Sequence, residues 1–187
     1  ASGWRKVFTE DGDEESFSPG ISPEDKILLW GISQLVLDFF KKTTGKENPG
    51  ILIGCDSRPT GPAIAEVFLR HFISQGINPS YLFITAAPEI MASAKIDDTA
   101  DGFIYISASH NPIGHNGMKF GLGDGGVIGR DLAEGLINEF SQFVEFETKL
   151  NEAYQKLRAS SNTIDSIQAI YQSIDDNKAK SLMYYSK

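Results

Sequence analysis

Three short apolar runs, Ile51–Asp56, Tyr81–Ile84 and Phe103–Ser107, alternate with two segments of helical spacing, and this alternation constrains the fold more than any other feature. The first run lies between Pro49-Gly50 and Ser57-Arg58-Pro59, so it reads as a buried strand bounded by turn chemistry. Residues 61–75 put Ile64, Val67, Phe68, Phe72 and Ile73 on one helical face, and Pro88–Ile96 supplies a shorter helix. Strand–helix–strand–helix–strand predicts an α/β chain with a mainly parallel sheet and helices on both faces, a three-layer α/β/α arrangement. A fourth strand is expected at Met118–Leu122. The intervening loop ends in Asn116-Gly117 and is too short for a crossover helix, so this strand should run antiparallel and the four-stranded sheet should be mixed.

On either side of this unit the signals change. Residues 1–22 read as an irregular arm with turns at Asp11-Gly12-Asp13 and Ser18-Pro19-Gly20. A helix then begins with Ser22 as N-cap, Pro23 in the first position, and Glu24 and Asp25 in the first turn. Ile27, Leu28, Ile32, Leu35, Phe39 and Phe40 form its expected apolar stripe, and Gly45 is its expected stop. Beyond Arg130 the chain reads as helix through Leu132, Leu136, Ile137, Phe140 and Phe143. A break near Phe146–Thr148 leads to a helix at Lys149–Arg158, a polar hinge at Ser160-Ser161-Asn162, and a last stripe of Ile164, Ile167, Ile170, Tyr171 and Ile174. We therefore expect a unit over 1–145 and a helical extension over 146–187. The still apolar ending, SLMYYSK, suggests a truncated chain. The apolar face of residues 164–187 is expected to be the least settled part, packing back or self-associating with another copy.

Charge and composition exclude several classes. The 25 acidic residues outnumber 17 basic ones for a net charge of -8, which argues against nucleic acid as partner but leaves room for a small anion. The longest apolar helical stretch, Leu28–Phe40, is interrupted by Gly31, Ser33, Gln34 and Asp38, so a membrane is not an expected partner. The opening ASGWRKVFTEDGDEE lacks the apolar centre of a secretory signal, and the chain is expected in the cytoplasm. A single Cys55 excludes an internal disulfide and a Cys-rich zinc site and reads as a small buried residue.

Chemistry concentrates in residues 104–126, IYISASHNPIGHNGMKFGLGDGG. In α/β sheets ligands gather outside the carboxyl ends of the strands. Ser109 and His110 stand there, as a nucleophile and an anion-contacting group would. Asn111-Pro112 stiffens the turn, Gly114 and Gly117 permit close backbone approach, and Lys119 follows within reach. On residue types alone the segment could equally be an ordinary turn. A Ser-His hydrolase is disfavoured because adjacent loop residues rarely point at each other and no G-x-S-x-G elbow is present. No phosphate-loop or dinucleotide fingerprint occurs. His71 reads as structural, Asp11 and Asp13 as a solvated arm, and His115 as either a turn residue or a substrate contact.

Three segments in order alter this balance. SASHNP with HNGMKF, beginning at Ser107, resembles the phosphoserine loop of the α-D-phosphohexomutase superfamily, the phosphoglucomutases and phosphomannomutases. Ser2-Gly3-Trp4-Arg5 resembles the end of that family's F-G-T-S-G-W-R-G motif. Gly54-Cys55-Asp56-Ser57-Arg58-Pro59-Thr60-Gly61 resembles its G-x-D-x-R-x-S-G segment. The likeness covers about residues 1–140, the family's first domain. Lys6 and Thr60 depart from the usual Gly and Ser. The metal loop D-x-D-x-D-R, the G-E-x-S-G-H segment and the C-terminal phosphate-binding loop have no counterpart.

The resemblance implies an intramolecular phosphotransferase. It would interconvert hexose 1-phosphate and hexose 6-phosphate through a phosphoserine and a bisphosphorylated sugar. Ser109 would carry the phosphoryl group and contribute one ligand to Mg2+, whose aspartates lie outside this chain. Lys119 would act as general acid/base or local cation, and Arg5 would contact substrate beside the serine. His110 would contact phosphate or share proton transfer, Asn111 would shape the loop, and His115 would line the substrate site. Arg58 is expected to tie its loop to nearby backbone or a carboxylate. A glucose 1,6-bisphosphate-type activator and the remaining domains of the same enzyme are the implied cofactor and partner. The chain alone is expected to be inactive. The alternatives are a phosphosugar-binding module that never carries phosphate, and a Ser-dependent hydrolase. The choice among glucose, mannose and glucosamine phosphates is not readable here.

Overall fold

A computed structural model describes residues 4–186, apart from the side chains of residues 161 and 162, so Ser2 and Gly3 of the opening motif lie outside the described residues. One sheet organises the chain. Its strands are β1 (Trp4–Val7), β2 (Ile51–Cys55), β3 (Ser80–Ile84), β4 (Gly102–Ile106) and β5 (His115–Leu122), in the order β1-β5-β4-β2-β3. β2 pairs in parallel with β3 and β4, while β5 runs antiparallel to both β4 and β1. The mixed sheet is thus as expected, but it has five strands rather than four.

The additional strand lies in the segment read as an irregular arm. Trp4–Val7 is a four-residue edge strand whose two central residues, Arg5 and Lys6, are exposed while Trp4 and Val7 are half-buried. Such a segment carries no alternation; its partner strand specifies it. Lys6 forms an ion pair with the buried Asp25 and lies 5.3 Å from the centre of the Phe8 ring. Lys6, which departs from the family pattern, therefore ties β1 to the first helix.

That helix, α1 (Pro23–Thr44), has the expected ends. The Asp25 N–H donates to Ser22 Oγ at 3.1 Å, and Gly45, at φ 69°, donates its N–H to the Lys41 carbonyl. Its fully buried side chains are Leu29, Trp30, Ile32, Val36, Leu37 and Phe40, so the stripe is rotated from the expected one; Ile27, Leu28, Leu35 and Phe39 are half-buried. The rotation follows from α1 packing against three other helices as well as the sheet: α2 (Gly61–Ser74), α4 (Arg130–Glu145) and α5 (Glu147–Ala159).

α1 and α2 cover the sheet face that carries Ile51, Ile53, Cys55, Ile104, Ile106, Met118 and Phe120. The opposite face, with Leu52, Phe103 and Tyr105, packs against α3 (Ala87–Ile96). Gly54 is required here, because a Cβ at that position would lie 2.3 Å from Thr85 Cγ2 and 3.2 Å from Ile90 Cδ1.

The extension folds back onto this unit. The polar hinge is a 3-10 turn (Ser160–Thr163) leading to α6 (Ile164–Gln172) and α7 (Ile174–Tyr185). Ile167 and Ile170 are buried, whereas Ile164 and Leu182 stay exposed. α7 runs along the β3 edge and against α3. Asn177 Nδ2 donates to the Tyr81 carbonyl at 3.4 Å and Lys178 Nζ to the Ile84 carbonyl at 2.7 Å. Lys178 also reaches both oxygens of the buried Glu89, and Lys180 reaches Asp97 at 2.6 Å. Side chains of α7 thus satisfy carbonyls on an otherwise open sheet edge. Among the described residues no helix is long and apolar enough to cross a membrane.

Candidate active site

β4 ends at Ile106, and the chain leaves the sheet at its carboxyl edge through Ser107. A turn over Ala108–Asn111 is closed by the Asn111 N–H donating to the Ala108 carbonyl at 3.2 Å. Ser109 occupies its second position with φ 58°, in the left-handed region that a non-glycine residue enters at a cost. Its N–H donates to Ser107 Oγ at 3.1 Å, and the residue is exposed. His110 beside it is exposed, and Asn111 is half-buried.

Arg58, 8% exposed, fixes the loop from below. Its Nη2 donates to the carbonyls of Ser109 (2.9 Å) and Asn111 (2.6 Å). Its Nη1 donates to the carbonyls of Pro112 and His115, the latter at 3.0 Å, and its Nε donates to Asp56 Oδ2 at 3.2 Å. The expectation that Arg58 ties its loop to backbone and a carboxylate is met on both counts. The buried Asn116 supports the arrangement: its Nδ2 donates to Thr60 Oγ1 at 3.2 Å while its Oδ1 accepts the Gly117 N–H at 2.9 Å.

The ladder registers place the cations. Arg5 pairs with Gly117 across β1 and β5, Lys119 pairs with Tyr105 across β5 and β4, and the Ser107 N–H donates to the Gly117 carbonyl at 2.8 Å. Opposed residues share a face and alternate residues return to it. Arg5, Lys119 and His115 therefore share the sheet face opposite Trp4, Met118 and Phe120. Arg5 is exposed and Lys119 half-buried. His115 is partly covered by the segment after β1, where the Phe8 N–H donates to the Gly114 carbonyl and the Gly114 N–H to the Glu14 carbonyl. Its Nε2 lies 3.9 Å from Glu14 Oε2, and its Nδ1 is buried with no hydrogen-bond partner. The structure thus gathers Ser109, His110 and Asn111 on one turn and Arg5, His115 and Lys119 on the adjoining strand pair.

The other candidates are structural. Burial pushes the Cys55 thiol up to about 11, so it stays protonated; its Sγ lies 3.8 Å from Tyr81 Oη. His71 is fully buried, with Nδ1 2.9 Å from Ser33 Oγ and Nε2 3.0 Å from Gln34 Oε1; the amide oxygen accepts, which puts a proton on Nε2, and burial keeps the ring neutral. Asp11 accepts from Ser16 Oγ at 2.6 Å and from the Asp13 N–H, so the acidic arm caps its own turns. Among the described residues no three His, Cys, Asp or Glu side chains gather as metal ligands. The described residues therefore do not make a Mg2+ site by themselves. Sequence reasoning did not single out Asn116 as a support for the loop. Its burial was the missing signal, since an Asn before a Gly reads as turn chemistry.

Comparison with known proteins identifies the family. The family model for phosphoglucomutase/phosphomannomutase, alpha/beta/alpha domain I, matches residues 2–145. The chain belongs to this family. A phosphoglucosamine mutase from Oceanobacillus iheyensis is 32% identical over 145 residues, 78% of this chain and 30% of that protein. One from Lacticaseibacillus casei is 33% identical over 129 residues, 69% of this chain and 28% of that protein. Among solved structures, a Thermus thermophilus protein assigned as a phosphomannomutase shares the fold at a TM-score of 0.59 and 19% identity, over 74% of this chain and 28% of that one. The chain thus spans less than a third of the length of these relatives.

Proposed function

We propose that this domain supplies the phosphoryl-carrying serine of a phosphohexomutase. The observation that carries the reading is Ser109: an exposed hydroxyl at the carboxyl edge of the sheet, in a left-handed turn whose carbonyls are clamped by Arg58. In the forward direction a hydroxyl of the bound hexose monophosphate attacks the Ser109 phosphate. The P–O bond to Ser109 Oγ breaks, and a sugar bisphosphate forms with a free serine. After the sugar reorients, Ser109 Oγ takes the other phosphate, which leaves the isomeric monophosphate. Catalysis of such a step is mostly positioning and charge neutralisation.

In this reading Arg5 and Lys119 provide cationic charge on the sheet face next to the loop. Lys119 either stays a cation beside the transferring phosphoryl group or, as the neutral amine, takes the proton of the attacking hydroxyl and, as the ammonium so formed, returns it to the leaving Ser109 Oγ. His110 contacts the phosphate, Asn111 shapes the turn and His115 lines the sugar side. A divalent ion held in part by phosphorylated Ser109 would neutralise phosphate oxygens, its remaining ligands coming from outside this chain. The unit over 1–145 would form one wall of the cleft, with 146–187 as an extension. The full-length relatives named above are phosphoglucosamine mutases, so glucosamine phosphate stands beside glucose and mannose phosphates as substrate. A glucose 1,6-bisphosphate-type primer would load the serine.

A Ser-dependent hydrolase is less well supported, because no histidine ring hydrogen-bonds the Ser109 hydroxyl among the described residues. The test is phosphate on Ser109 in a full-length mutase carrying this domain, read by intact mass and peptide mapping. Ser109→Ala should remove the adduct and mutase turnover together. Turnover above about a thousandth of wild type in that variant would sink the reading, because loss of a positioned nucleophile costs several orders of magnitude.

A further inference from the structure

Arg58 directs all five of its guanidinium N–H groups at protein acceptors. Nε meets the Asp56 carboxylate, Nη1 meets the carbonyls of Pro112 and His115, and Nη2 meets those of Ser109 and Asn111. A guanidinium has five donors and no acceptor, so nothing remains for a substrate phosphate. Arg58 lies in the segment after β2, whereas three of the four carbonyls belong to the loop after β4 and the fourth, that of His115, opens β5. These strands are parallel neighbours, with Cys55 paired to Ile106. Asp56 completes the bridge: its Oδ1 accepts the Arg58 N–H at 3.1 Å, and its own N–H donates to the Ile106 carbonyl at 2.9 Å.

We propose that Arg58 is a positioning residue for phosphoryl transfer: it holds Ser109 in its left-handed conformation so that the hydroxyl projects from the sheet edge. This rests on the reading of Ser109 as the phosphoryl carrier. The role is geometric. Asp56 offsets the guanidinium charge locally, and the four carbonyls need a planar fork rather than a point charge. Without the clamp, Ser109 would relax from φ 58° toward ordinary backbone and the hydroxyl would leave its place.

Arg58→Lys separates geometry from charge, since lysine keeps the cation but has three donors and no plane. Amide hydrogen exchange on the 187-residue chain is the first measurement. In the variant the amides of Ser109, His110, Asn111 and His115 should exchange at least about tenfold faster, while those of Ile53 and Ile104 in the sheet stay within about twofold. Steady-state kinetics on a full-length mutase carrying the substitution are the second. There kcat should fall about a hundredfold with KM nearly unchanged, because misplacement of a reacting atom by about an ångström has that cost. Unchanged loop exchange overturns the proposal, and so does faster exchange with undiminished kcat. If Arg58→Lys loses cooperative unfolding, Asp56→Asn replaces it. That change leaves the guanidinium in place but weakens its anchor, and the same four amides should speed up severalfold; protection equal to wild type overturns the proposal. Absence of phosphate on Ser109 in the unsubstituted enzyme would count against the carrier reading instead, whatever the exchange data show.

Discussion

Arg5 stands directly opposite Gly117 in the β1–β5 ladder, with no room for a side chain on the glycine. A Cβ there would lie 2.2 Å from the Trp4 carbonyl oxygen and 2.8 Å from Arg5 Cγ. The first contact is with backbone, so rotation of a side chain cannot relieve it. Gly117→Ala should push β1 off the sheet edge at a cost of about 1–3 kcal/mol, the usual range for overpacking. Urea denaturation of both proteins measures this. A midpoint equal to wild type would mean that β1 is not held in this register.

Ser109 poses the opposite case, a side chain where the backbone favours glycine. At φ 58° the residue carries roughly 1–2 kcal/mol of left-handed strain that glycine lacks, offset in part by glycine's greater freedom in the unfolded chain. Ser109→Gly should therefore unfold within about 1 kcal/mol of wild type while losing all capacity to carry phosphate. A loss of stability above about 2 kcal/mol would show that the serine hydroxyl supports the loop.

These two positions also show how far sequence reading reached. The parallel β2–β3–β4 core was legible because its strands are buried apolar runs bounded by Pro, Gly and Ser. The antiparallel return of β5 followed from a loop too short for a helix. β1 was not legible as a strand, because Trp4–Val7 shows no alternation and depends on β5 for its pairing. The docking of α7 was equally hidden, since it rests on lysine contacts to acids far away in sequence, Glu89 and Asp97. At the site, residue types and order named the turn and the cations. The left-handed conformation of Ser109 and the carbonyl clamp of Arg58 are properties of tertiary geometry that no local pattern encodes.

His71 gives stability a pH dependence with a definite sign. Burial, with a smaller contribution from Lys156, lowers its ring from the ordinary 6.5 to about 3. The folded state therefore binds fewer protons than the unfolded state between these values. Stability should be unaffected by this group above pH 6.5 and should decline as the pH falls toward 3. Going from neutral pH to about pH 5, wild type should lose about 2 kcal/mol more than His71→Gln, whose side chain does not titrate. Denaturant titrations at the two pH values supply the comparison; parallel losses in the two proteins would contradict it.

Lys178 is the counter-ion of a carboxylate that is only 5% exposed. Burial alone would raise the Glu89 carboxyl, but hydrogen bonds from Lys178 and Ser181 outweigh it and leave the group below its usual range. Lys178→Met should strand that charge and destabilise the chain by about 3–5 kcal/mol at neutral pH, as removing one partner of a buried pair does. The loss should shrink at acid pH, where Glu89 is protonated. Faster exchange confined to residues of α7, β3 and α3 would locate the effect; uniform exchange across the chain would argue against a docked helix.

The chain should fold as described yet fail to interconvert hexose phosphates when supplied with Mg2+ and a bisphosphate primer. The sheet and its covering helices bury a continuous apolar core that includes Phe40, Phe68, Phe72 and Tyr81, which favours autonomous folding. Mutase turnover demands more. On the proposed mechanism a sugar bisphosphate is held at both phosphates while it reorients, and Ser109, His110, Asn111, Arg5, His115 and Lys119 all lie on one sheet edge and one adjoining face. The reacting phosphate also needs charge neutralisation, and no three-ligand metal group occurs among the described residues. The matched segment is less than a third of the phosphoglucosamine mutases named above, so more than twice its length of further chain belongs to them. A coupled assay from glucose 1-phosphate to glucose 6-phosphate, repeated with glucosamine and mannose phosphates, is the direct measurement. Steady turnover by the 187 residues alone would show that the cleft is complete within them, and Ser109, Lys119 and Arg5 would then have to act without a facing wall.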